Sequence, residues 1–144
     1  METATMGSVL VAAKIENLYD LYEVGKGRMK AEDVRRIEVP DALVDTGATE
    51  LGMTTAMVAH LGLIPFKQRN ARTANGNIVL HTYSTVRLTV QGRECHCDVM
   101  ELPGDVPVQI GRIPLLQLDW LVDPKRHRLI GNPEHGGEHM SEFY

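Results

Sequence analysis

Absences narrow the reading of this chain before any motif does. It has only two cysteines, Cys95 and Cys97, in 144 residues, so no disulfide framework is expected. One residue apart in a strand, the two thiols share a face but are poorly placed to bond to each other. They read as reduced thiols in a reducing compartment, which predicts a cytoplasmic protein. The other reading is a metal pair completed by His96 or a distant ligand, and it lacks a second Cys/His pair at finger spacing. There is no Lys/Arg block, and 15 Lys+Arg against 19 Asp+Glu leave a formal charge of −4. That balance argues against nucleic acid or an anionic membrane as the main partner. The longest near-apolar stretch, Met6–Ala13, stops at Lys14, far short of the roughly 20 residues that span a bilayer. With Glu2 and no basic segment at the N-terminus, a signal peptide is not expected. No P-loop, dinucleotide fingerprint or serine nucleophile elbow occurs, and no cofactor is expected.

What is present is globular: 43% hydrophobic and 24% charged residues, enough for a core without disulfide or metal. One domain is expected over residues 1–133, followed by a loose Gly- and Glu-rich tail at 134–144. Most segments read as strands. Ser8–Leu18 is rich in Val, Leu and Ile, and Tyr19–Val24 continues in the same character until Gly25-Lys26-Gly27 breaks the chain. Val34–Val39 alternates, and Ala42-Leu43-Val44 runs into Asp45. A helix is expected at Thr54–Leu61, with Thr54 or Thr55 as N-cap and Gly62 as stop. Asn75-Gly76 predicts a two-residue hairpin between Phe66–Thr73 and Ile78–Val90. Gln91-Gly92 and Pro103-Gly104-Asp105 are further turns around Cys95–Leu102. A short strand at Val108–Ile110, a short helix at Pro114–Asp119 and a hairpin of Trp120–Asp123 with Arg128–Ile130 complete a mostly β domain.

The sharpest feature is Ala42-Leu43-Val44-Asp45-Thr46-Gly47-Ala48, an apolar strand that ends in a carboxylate, a hydroxyl and a glycine. A bare Asp-Thr-Gly arises by chance in about 3 of 100 chains of this length. Taken alone it also reads as a strand-end turn with Asp bonded to its own backbone. Two later features sharpen it: the Asn75-Gly76 hairpin, and Val108-Gln109-Ile110-Gly111-Arg112 with a short helix behind.

In this order, over roughly Ile37 to Pro133, the chain resembles the retroviral-type (retropepsin-like) aspartic protease family, in particular its small bacterial members. The resemblance implies a mostly β, single-domain acid-protease closed barrel with one or two short helices. It implies Asp45, Thr46 and Gly47 as the catalytic loop. It implies Ala48, the flap-tip residues Ala74, Asn75 and Gly76, and Ile110 and Gly111 as residues that meet substrate or back the loop. Peptide hydrolysis needs a base for water and an acid for the carbonyl oxygen and then the leaving nitrogen. Two adjacent carboxylates supply both, because they cannot both ionise cheaply. This chain has one Asp-Thr-Gly, so the second carboxylate must come from another copy, in a C2 homodimer acting on a peptide or protein. The alternative is a catalytically silent retropepsin-like dimer that binds peptides or a partner protein.

Two departures from the family pattern carry expectations. Ala48 stands where many relatives have Ser, and the lost hydroxyl shifts the expected activity optimum toward roughly pH 5–6 rather than pH 3. Viral relatives often carry an acid directly after this Ala, paired with the Arg after the late Gly. Here Thr49 holds that place and Glu50 follows, so a structural Glu50–Arg112 ion pair is expected. The N-terminal segment is longer than in viral relatives, which puts a dimer sheet of interleaved termini in question. Finally, His135-Gly136-Gly137-Glu138-His139 matches a metalloprotease pattern formally. Its two glycines and the preceding Pro133 break the helix that metal ligation needs, so no metal is expected.

Overall fold

A computed structural model describes residues 8–143. Glu2 and the start of the Met6–Ala13 stretch lie outside them. Among the described residues, nine strands and three short α-helices follow in the order β1 (Val9–Asn17), α1 (Leu18–Gly25), β2 (Arg36–Val44), β3 (Leu51–Thr54), α2 (Thr55–His60), β4 (Pro65–Thr73), β5 (Gly76–Val90), β6 (Arg93–Leu102), β7 (Gln109–Ile110), α3 (Arg112–Leu118), β8 (Trp120–Asp123) and β9 (Arg128–Gly131). Seven strands form one mixed sheet in the order β1-β2-β7-β3-β6-β5-β4, and β1 pairs also with β5, so the sheet returns on itself. β8 and β9 make a separate hairpin.

Alternation drives this packing. Val9, Val11, Ala13 and Ile15 on β1 point inward with Val86, Leu88 and Val90 on β5, as period-two strands require. Cys95, Cys97 and Val99 fill the same core from β6. Both thiols are free and buried. That of Cys97 is pushed up by its hydrogen bond with Cys95 and by burial, which makes it a packing group and not a nucleophile.

Charge fixes the register where the sheet closes. Glu16 stands opposite Arg36 of β2 and Arg87 of β5. Its carboxylate, only 3% exposed, accepts from Arg87 at 2.9 and 3.0 Å and from Arg36 at 3.4 Å. A one-residue slip of either neighbour would strand this buried charge.

The Tyr19–Val24 segment, read as a strand, is helix α1. Asn17 caps it by accepting from the Asp20 N–H at 3.2 Å, and Leu18 and Asp20 face inward. The aromatic and β-branched content suggested a strand; the Asx cap and tertiary packing override that propensity. Asp20 in turn accepts from the backbone N–H, Nε and Nη2 of Arg35, each at 2.9 Å. Those side-chain bonds hold its carboxyl below the usual range despite burial. The predicted second helix forms over Thr55–His60 with Thr54 as cap, its hydroxyl accepting from the Met57 N–H at 3.3 Å. Gly62, at φ +63°, leaves the turn against Arg35, where a Cβ would collide with the guanidinium.

The segment after Pro133, read as a loose tail, bonds back to the body. Gly137 O accepts from Arg93 Nη2 at 2.6 Å, and the Met140 N–H donates to Asp119 at 3.1 Å. His135, 9% exposed, sits between Asp119 (2.7 Å) and Glu142 (2.8 Å). Hydrogen bonds first to Asp119 and then to Glu142 raise its pKa. A raised folded-state value stabilises fully below the unfolded value of about 6.5 and is lost as pH rises through the raised one. The difference in melting temperature between wild type and His135→Gln is therefore expected to be largest near about pH 6 and to shrink by about pH 8–9. Calorimetry at both pH values checks this, and a difference that grows with pH contradicts it.

Candidate active site

The Asp-Thr-Gly loop owes its shape to a strand order that sequence does not show. β2 and β3 flank the loop but do not pair with each other. β7 lies between them, parallel to β2 (Val44↔Ile110) and antiparallel to β3 (Leu51↔Ile110). Residues 45–50 must therefore cross over the end of β7, a span of about two strand spacings, near 10 Å.

Backbone hydrogen bonds hold the crossing. The Asp45 N–H donates to Ile110 O at 3.0 Å, and the Ala48 N–H donates to Asp45 O at 3.1 Å. The first N–H groups of a helix have no partner within it. In α3 they are spent on this loop: Gly111, Arg112 and Ile113 donate to the carbonyls of Glu50 (3.0 Å), Ala48 (2.9 Å) and Thr49 (3.0 Å). Arg112 adds its side chain, with Nη1 donating to Thr46 O at 3.2 Å and Nη2 to Thr49 Oγ1 at 3.3 Å.

Within this frame Asp45 is half-buried, and its Oδ1 accepts from the Gly47 N–H at 2.9 Å. That bond is the local Asx turn such a motif can make anywhere. What exceeds a simple turn is the surrounding brace and the setting of the carboxylate. Among the described residues no ion pair joins Asp45 to a cation. Thr46 and Gly47 are exposed beside it.

Beside the loop lies an open cleft of about 390 Å³. Gly47, Ala48 and Thr49 line it together with Arg69 and Arg72 of β4, and Leu80, Met100 and Leu102 give it an apolar lining. The β4–β5 hairpin is the predicted flap, with its turn shifted by one residue. Ala74 and Asn75 occupy the turn between the Thr73↔Gly76 pair, and only Gly76 takes positive φ (108°). Thr73 Oγ1 donates to Gly76 O at 2.7 Å and accepts from the Asn75 N–H at 3.2 Å. Glycine still meets the one left-handed position, now at the start of β5 and not inside a mirror-image turn.

The structure parts company with the expected site at several points. Among the described residues no ion pair joins Glu50 to Arg112. Glu50 pairs instead with Arg69 at 2.9 Å, which ties the loop to the flap strand. One position beyond the acid of viral relatives, Glu50 faces β4, and Thr49 receives Arg112. Ala74, Asn75 and Gly76 do not line the cleft of the single chain; Arg69 to Thr73 do. Ile110 is fully buried in the core and forms no cleft wall, which its neighbour Gln109 does. Gly111 backs the loop as expected, because a Cβ there would meet Glu50 O at 2.5 Å and Thr49 C at 2.7 Å. Sequence reading missed Arg69, Met100 and Leu102, which reach the cleft only through strand pairing. His135 and His139 turn to different partners, the latter bonding to Gln117 O at 3.0 Å.

A mostly β sheet that closes on itself, with an Asp-Thr-Gly loop braced by a Gly-Arg helix start, defines an aspartic-protease type of fold. A family model described as aspartyl protease matches residues 30–119, a span that takes in β2, the Asp45 loop, the flap hairpin, β7 and α3. The chain belongs to the retropepsin-like aspartyl protease family. No curated protein gives a significant match to it. Membership supports a protease-type hydrolytic function. Among the described residues no helix is long and apolar enough to cross a membrane.

Proposed function

We propose that the chain is a homodimeric aspartic endopeptidase whose catalytic pair is Asp45 from each of two copies. One carboxylate, ionised, takes a proton from a water held between the pair while the water oxygen attacks the scissile carbonyl carbon. The protonated partner gives its proton to the carbonyl oxygen, and a proton then passes to the leaving nitrogen as the C–N bond breaks. Thr46 hydrogen-bonds across the pair, and Gly47 lets the backbone approach the substrate. An extended peptide runs through the cleft, with the flap tips at Ala74–Gly76 closing over it on assembly and excluding water. The carrying observation is the half-buried Asp45 in a loop held from behind by three backbone N–H groups at the start of α3, with a cleft lined by that loop's Gly47, Ala48, Thr49 and Glu50. Free buried thiols at Cys95 and Cys97 support a reducing, cytoplasmic setting.

The reading is tested by assaying wild type on a peptide library across about pH 3–7, with and without a pepstatin-type inhibitor. Ala48 offers the pair no hydroxyl, and a hydrogen bond to a carboxylate favours its charged form, so the optimum is expected at roughly pH 5–6. An optimum below about pH 3.5 contradicts that role for position 48. An intact dimer that cleaves nothing under any condition makes the chain a silent binding module.

A further inference from the structure

We infer that an aromatic groove between α1 and strands β4, β5 and β6 binds a basic side chain, an arginine or lysine carried on an extended polypeptide. The groove measures about 450 Å³ and shares no lining residue with the cleft beside Asp45. Three of the chain's four tyrosines and one of its two phenylalanines line it. Phe66 is 78% exposed, Tyr19 60% and Tyr22 54%, so these rings meet solvent instead of filling the core. Such a contiguous patch marks a contact surface. Asp98 is the one charged residue in the lining. Thr85 Oγ1 donates to it at 3.0 Å, and among the described residues no cation pairs with it.

Chemistry selects the ligand. The faces of aromatic rings attract cations, and a guanidinium or ammonium gains most where a carboxylate completes the site. A purely apolar group would cover the rings but leave Asp98 uncompensated, and an acidic one would be repelled by it. The walls are preformed. Tyr19 and Tyr22 stand three residues apart on one side of α1. That helix is pinned by Asn17 Nδ2, which donates to Leu61 O at 2.8 Å, and by the Asp20–Arg35 pair. Ahead of Phe66, the Ile64 N–H donates to Ser84 Oγ at 3.0 Å and the Ser84 N–H to Ile64 O at 2.9 Å. β5 carries an extra residue between the Tyr83↔Val99 and Val86↔Cys97 pairs. This bulge breaks the alternation, so that Tyr83, Ser84 and Thr85 in succession all line the groove. Continuity with the cleft makes the source a polypeptide. Asp98 and Met100 share the outward face of β6, about 7 Å apart, and Met100 lines the cleft. One extended segment can therefore lie in the cleft and set a basic side chain against Asp98. That step alone rests on the reading of the cleft as a peptide site.

The test is an NMR titration of the full-length Asp45→Asn protein, in which the probe stays uncleaved. The probe is a peptide of about ten residues, long enough to span groove and cleft, with one central arginine in an alanine–serine background. Its comparators carry glutamine or glutamate at that position, and N-acetylarginine amide is titrated alongside. The arginine peptide is expected to shift the signals of Tyr19, Tyr22, Phe66, Tyr83 and Asp98, and to bind roughly tenfold more tightly than the glutamine peptide. Adding Asp98→Asn or Phe66→Ala is expected to weaken binding by about fivefold or more. Both side chains are exposed, so the fold is retained, which the spectra of the variants check. Equal affinity for the arginine and glutamine peptides, unchanged affinity in Asp98→Asn, or shifts that fall outside the groove overturn the inference. So does N-acetylarginine amide binding as tightly as the peptide, which makes the groove a site for a free cation. Groove signals that move with protein concentration alone seat a second copy there and overturn it as well. Nothing in this titration reads hydrolysis. Selective binding in a chain whose wild type cleaves nothing leaves the groove standing and removes only the hydrolytic reading, and an active wild type whose groove binds no arginine removes only the groove.

Discussion

Asp45→Asn is expected to abolish peptide hydrolysis while leaving the fold and the dimer in place. In a two-fold assembly one substitution changes both members of the pair, so neither a base for water nor an acid for the carbonyl oxygen survives. General acid and base contributions together correspond to about 10³–10⁴ in rate or more, near 4–5.5 kcal/mol of barrier. The introduced amide has the carboxylate's shape, and its oxygen can still accept from the Gly47 N–H that Asp45 now uses at 2.9 Å. Stability should therefore be unchanged, or slightly raised because a neutral amide pair no longer has to hold a charge at the contact. The check is kcat/KM and melting temperature on the same preparation. Cleavage by the variant at the wild-type rate would place the chemistry elsewhere; loss of activity together with loss of fold would make Asp45 a structural residue.

Gly111→Ala should be strongly damaging despite adding a single methyl group. The glycine's φ of −86° is open to any residue, so backbone freedom is not the reason for it. Space is. A Cβ would sit 2.5 Å from Glu50 O, 2.7 Å from Thr49 C and 2.8 Å from Ala48 O, all backbone atoms that no rotamer change can move aside. The loop would have to lift from α3, lengthening the three hydrogen bonds that fill the helix start. Overpacking and lost backbone pairing together are expected to cost about 3–5 kcal/mol, a fall of roughly 10 °C or more in melting temperature. A displacement of even 1 Å at a catalytic group costs on the order of 100-fold in rate. An alanine variant with the wild-type melting temperature would show that the loop is not seated on Gly111 in this way.

The sequence was most informative where one residue type has one mechanical use. Thr54 and Gly62 bound a helix because a hydroxyl fills one end and a positive φ ends the other. Asp-Thr-Gly at the end of an apolar strand, with Gly-Arg before a helix, marked both halves of the loop's support. It was least informative where propensity and packing disagree. Tyr19–Val24 carries strand-like residues, yet Asn17 and the Asp20–Arg35 contact make it a helix. Glu50 found Arg69 and not Arg112 because the partner of a half-buried acid is set by which strand folds alongside it.

A mostly β chain, the Asp-Thr-Gly turn and the glycine beneath it were thus legible in the residues, because these follow from local sterics and from residue chemistry. The chain's folding in space set that β7 lies between β2 and β3, which residues line the cleft, and that Leu116 and Leu121 stand bare near Thr46. Those are relations between segments far apart in the chain. They are set by strand order and by the burial of one shared core, which a one-dimensional pattern of residues does not encode position by position.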